Sequence, residues 1–69
     1  MTRYLLRGSF VAPDVKHSSS VETTVDADAP PTEAEATERL YPLAEADVAQ
    51  WRGETYQCWF TSVIIEEQS

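Results

Sequence analysis

Eight carboxylates lie between Glu22 and Asp47, namely Glu22, Asp26, Asp28, Glu33, Glu35, Glu38, Glu45 and Asp47, with Arg39 the one base among them. Oxygen donors at this density suit two tasks, holding a hard cation or meeting a basic surface through charge. The cation reading centres on Asp26-x-Asp28 with Glu22 on the same strand face, but the glycine and closing glutamate of a calcium loop are missing there. A dedicated metal site is not expected. His17 stands beside Ser18, Ser19 and Ser20, a base next to hydroxyls. A working pair needs a third group to orient the imidazole and donors for an oxyanion, and neighbours in a loop rarely hold that geometry. Cys58 alternates in phase with Tyr56 and Phe60 and reads as a small core residue. Gly8 and Gly53 are the two glycines, too few for a phosphate cradle. The expectation is a non-enzyme without cofactor.

The whole composition sets the same limits. The 69 residues hold 12 Asp and Glu against 5 Lys and Arg, a formal charge of −7 and an isoelectric point near 4.3. A chain this acidic is repelled by free nucleic acid and by anionic membranes, so its natural partner is a basic protein surface. One Cys and one His make neither an internal disulfide nor a four-ligand zinc site. A reducing compartment fits. Arg7 interrupts the short apolar run Tyr4-Leu5-Leu6, which leaves no signal-peptide core, and no stretch approaches the roughly 20 apolar residues of a membrane span. The expected location is the cytoplasm. Lys16 is the single lysine, a bias shared by GC-rich genomes and by salt-adapted proteins.

The charge is segregated along the chain. Residues 1–21 hold Arg3, Arg7 and Lys16 against Asp14, a net of +2 in a chain of −7. Val21, Val25, Leu40, Leu43 and Val48 recur through the acidic stretch, as in a folded acidic face rather than a tail.

Positioning these groups requires a small α+β domain spanning residues 1–69. Tyr4 to Ala12 reads as a central strand apolar on both faces, with Gly8 marking a bulge or the close approach of another element. Ala12-Pro13-Asp14 opens a loop running through the three serines, and Val21 to Asp28 alternates cleanly as a second strand. Pro30-Pro31 ends it. Thr32-Glu33-Ala34-Glu35 is a capping box, and Ala36, Leu40, Ala44, Val48 and Trp51 form one helical stripe. Pro42 within that stripe predicts a sharp kink or two short helices, 33–41 and 43–52, before Gly53 stops the segment. Thr55 to Glu66 reads as a third strand with Tyr56, Cys58, Phe60 and Ile64 on one face and Trp59, Val63 and Ile65 on the other. The order β-β-α-α-β predicts a three-stranded, mostly antiparallel sheet with the first strand central and the helical segment on one face.

On that scaffold, Glu35, Glu38, Glu45 and Asp47 are expected to form a carboxylate row, extended by Glu22, Asp26 and Asp28, at spacings near those of a phosphate backbone. Tyr41, Trp51, Tyr56 and Trp59 are more aromatic surface than so small a core hides, and Trp59 is the expected exposed anchor. In size, acidity, element order and the acidic stretch from Glu22 to Asp47, the chain resembles the short phage-encoded anti-CRISPR inhibitors. That group shares no motif. The resemblance implies an inhibitor that mimics DNA and occupies the DNA-binding surface of a type I CRISPR-Cas surveillance complex, and it transfers no residue; the partner-binding residues expected from the acidic stretch and the exposed aromatic are Glu22, Asp26, Asp28, Glu33, Glu35, Glu38, Glu45, Asp47 and Trp59.

Tyr4-Leu5-Leu6-Arg7-Gly8-Ser9-Phe10, Val25-Asp26-Ala27 and the Ala/Glu helix are also similar in layout to a small archaeal ribosomal protein of the LX type. That family carries basic residues after its helix, where this chain has Arg52 against Glu45, Asp47 and Glu54. The alternatives are a non-catalytic protein interaction module or the accessory domain of a halophile. A monomer is expected, because like-charged faces repel.

Overall fold

The computed structural model describes residues 1–68. Its elements are β1 (Thr2–Ala12), a single 3-10 turn (Pro13–Val15), β2 (His17–Ala27), α1 (Glu33–Arg52) and β3 (Trp59–Gln68). The sheet order is β2-β1-β3, with β1 antiparallel to both neighbours. This is the expected α+β class, with β2 and β3 running the same way on either side of a central β1.

Alternation along β1 sends Tyr4, Leu6, Gly8, Phe10 and Ala12 toward α1, where all five are buried. From the helix, Ala36, Leu40, Ala44 and Val48 meet them, each fully buried. The largest side chains shut off from water are Phe10, Leu6, Leu40 and Val48, each contributing about 1.5–3 kcal/mol by burial. Small alanines at every other step of the stripe let the helix backbone lie close over the strands. Gly8 serves the same closeness. A Cβ there would sit 2.6 Å from Phe60 Cε1 and 3.0 Å from Leu40 Cδ1, so the strand gives up its side chain to admit the ring.

The helix begins and ends as its sequence requires. Thr32 Oγ1 accepts from the Glu35 N–H at 3.2 Å, while Glu35 Oε1 accepts from the Thr32 N–H at 3.0 Å, a complete capping box. At the other end Gly53 adopts φ 85° and donates its N–H to the Ala49 carbonyl.

Several expectations are corrected. Of the two alternatives expected at Pro42, two short helices are ruled out, because α1 is one continuous helix through it. Pro42 and Glu38 are both exposed, so the carbonyl left without its N–H partner faces water instead of the core. β2 starts at His17 rather than Val21, because the turn needs only Pro13–Val15 and Lys16 in the left-handed region at φ 54°. Ser18, Ser19 and Ser20 are therefore strand residues, paired with Val11, Phe10 and Ser9. β3 begins at Trp59, not Thr55, and its faces differ from a simple alternation. Ser9 pairs with Ser62 but Phe10 with Phe60, so Thr61 is an extra residue on β3. That bulge shifts the phase by one, placing Phe60, Val63 and Ile65 toward the helix and Trp59 and Ile64 away from it. Trp51, the last position of the expected stripe, is 69% exposed because the helix overruns the core there.

Candidate functional site

The sheet divides the carboxylates expected to form one row. Along β2, Glu22 and Asp26 point away from the helix, onto the open face of the sheet, where β1 places an arginine directly opposite each. Arg3 Nε donates to Asp26 Oδ1 at 3.2 Å and Arg7 Nε to Glu22 Oε2 at 3.2 Å. The signal was in the sequence. Arg3 and Arg7 are four apart, as are Glu22 and Asp26, so any antiparallel register matching one pair matches both. Asp28 lies past the end of β2, exposed in the bend before Pro30.

On the helix, residues advance by about 100° each, so Glu35, Glu38 and Glu45 fall within roughly 80° of arc on the outward side. None of the three is in an ion pair among the described residues. Glu35 is held below the usual carboxylate range by its hydrogen bonds to the Thr32 backbone and side chain, with the Arg39 charge adding to them. Glu33 shares a shallow surface depression with Ala34, Thr37, Glu38, Tyr41 and Pro42, an apolar shelf set between two carboxylates. Asp47 leaves the row. Two residues beyond Glu45, it projects about 200° away and turns toward β2.

There Asp47 Oδ2 accepts from His17 Nε2 at 2.9 Å, with both side chains largely buried. The expected loop histidine is thus the first residue of β2, joined to α1 across thirty positions of sequence and set against the Phe10 ring at 6.1 Å between centroids. No local signal in the sequence reveals this pair, since only the packing of α1 on β2 brings the two residues together. No serine hydroxyl is hydrogen-bonded to the imidazole among the described residues, and alternation puts Ser18 and Ser20 on the opposite face of the sheet.

Cys58 is buried in the core cluster of Phe10, Ala12, Ala44 and Val48. Burial pushes its thiol upward, and the Glu45 and Asp47 charges push it further, so the sulfur is held as the thiol rather than the reactive thiolate. Its Sγ donates to the Tyr56 carbonyl at 3.4 Å. Nearby, Tyr56 Oη donates to Glu54 at 3.0 Å, and this bond with the same carboxylate's charge raises the phenol above its ordinary value.

Trp59 is 56% exposed on the open face, beside Val11 in the ladder, and Ile64 joins it on that face. Trp59 also lines a depression with Glu33, Thr37 and Tyr41 of α1, at the flank of the shelf that holds Glu38. Among the described residues no group of three or more His, Cys, Asp or Glu stands close enough to hold a metal ion, and no helix is long and apolar enough to cross a membrane. Comparison with protein-family models, with curated proteins and with solved structures gives no match in any of the three.

Proposed function

We propose that the chain is a non-catalytic binding protein that presents the outward side of α1 to a basic, nucleic-acid-binding surface of another protein. In its specific form it is an inhibitor that competes with target DNA on a type I CRISPR-Cas surveillance complex. The supporting observation is the contrast in charge pairing, because among the described residues Glu35, Glu38 and Glu45 project together without a basic partner in an ion pair, Glu35 being held only by the uncharged Thr32 cap, while Glu22, Asp26 and Asp47 are each joined to Arg or His. From Glu35 to Glu45 these carboxylates span about 15 Å of helix, enough to replace several phosphates along a basic channel. The apolar shelf at Tyr41 and Pro42 beside them offers contact that a bare polyanion lacks.

A DNA-competition assay on type I complexes tests the reading. The wild-type chain is expected to displace target DNA with an affinity that falls steeply as salt rises. The triple reversal E35K/E38K/E45K is expected to lose at least about tenfold in competition with its circular dichroism unchanged, and to fail to restore plaquing of a targeted phage. Competition that persists in the triple variant, or an affinity indifferent to salt, overturns this assignment.

A further inference from the structure

The sheet has two free edges, and they are built differently. The β2 edge is polar, with Ser18, Ser20, Glu22, Thr24 and Asp26 along its open side. The β3 edge carries no charge from Trp59 to Ile65, and it exposes Trp59 together with Ile64, 45% accessible, beside a row of unpaired backbone groups. Such an edge is a template for another strand.

We propose that β3 pairs antiparallel with β3 of a second copy, across a two-fold axis passing at Ile64, to make a continuous six-stranded sheet. Charge placement selects this occupant and register. Centred at Ile64, each Ile64 faces its counterpart on the open side and Val63 faces Ile65 on the helix side. Glu66 then faces the Ser62 hydroxyl, and no carboxylate meets a carboxylate. Sliding the axis to Glu66 would set the two glutamates against each other. Regular pairing would run from Ser62 to Glu66 on each strand and stop there, because Glu67 would face the Thr61 bulge of the other copy, where β3 changes phase. The repulsion that argues for a monomer belongs to the helix side, and this edge avoids it locally. Two chains of −7 still repel at long range, so the dimer strengthens as salt rises. That dependence is opposite in sign to competition for a basic surface, which keeps the two proposals separable.

Sedimentation equilibrium of the whole chain up to about 0.5 mM, at low and at moderate salt, is the test. The expected result is a monomer–dimer equilibrium that tightens with salt. Ile64→Lys should weaken it by roughly tenfold or more, while Thr24→Lys on the other edge leaves it unchanged. In a Cys58→Ser background, Ile64→Cys should form an intermolecular disulfide on oxidation, and Thr24→Cys should not. A chain that stays monomeric throughout, a dimer indifferent to Ile64→Lys, or cross-linking through Thr24→Cys as readily as through Ile64→Cys overturns the proposal.

Discussion

The two faces of the sheet carry acidic residues in equal view of the sequence but treat them in opposite ways. On the open face both carboxylates of β2 that project from the strand meet an arginine of β1, which leaves Glu66 of β3 as the unanswered charge there among the described residues. Among the described residues on the helix side, Glu35, Glu38 and Glu45 have no such partner, whereas Asp47 has been drawn between helix and sheet by His17. A net charge of −7 thus describes neither face. The lesson is that a run of carboxylates along a chain becomes a field only after the topology has decided which of them are answered.

The sharpest way to break this comparison is through the apolar residues beneath it. Leu40→Ala removes a fully buried side chain between helix and sheet and should cost about 2–5 kcal/mol, whereas Leu5→Ala on the open face should cost under about 1 kcal/mol. Urea denaturation of both variants checks it, and equal losses would mean that the open face is covered in solution.

Next in size are the paired polar side chains. His17→Ala strands a largely buried Asp47 and should cost about 1–2 kcal/mol, while Arg7→Ala breaks an exposed pair with Glu22 and should cost at most about 1 kcal/mol, less at high salt. Denaturation midpoints at two ionic strengths separate the buried contribution from the screened one.

The smallest effect concerns Glu35. Its carboxyl titrates below 4.5 in the folded chain because of the Thr32 hydrogen bonds, so the unfolded chain binds protons first as pH drops. The contribution is present above about pH 4.5, and it is lost as pH falls through the lowered folded value. Glu35→Gln should flatten that limb of the stability profile, measured by thermal melts between about pH 3 and 6.

Local signals carried much of the architecture. The capping box at Thr32, the left-handed stop at Gly53 and the stripe Ala36, Leu40, Ala44 and Val48 depend on neighbours within a turn or two, and each is where the sequence places it. The features that were not legible depend on partners far along the chain. An extra residue at Thr61 leaves composition and β-propensity untouched while exchanging the faces of Val63, Ile64 and Ile65, so alternation read straight through it assigns those three wrongly. Pro42 breaks a helix only where the lost hydrogen bond cannot be replaced, and its solvent-facing position is a property of the packed fold. The expected acidic row failed for a related reason. Glu22 and Asp26 were assigned to it by sign alone, although the matching four-residue spacing of Arg3 and Arg7 already pointed to pairing within the hairpin.

The missing side chain at Gly8 acts as a mechanical detent for the whole sheet. The Phe60 ring rests in that notch, beside the Phe10 ring at 5.9 Å between centroids, and a slip of β3 by two residues along β1 would carry it off the glycine and over a side chain. Of the registers that keep the apolar face inward, one has room for the ring. A vacancy of a single methyl group therefore indexes the C-terminal strand, and with it the phase of every residue that β3 offers to the outside.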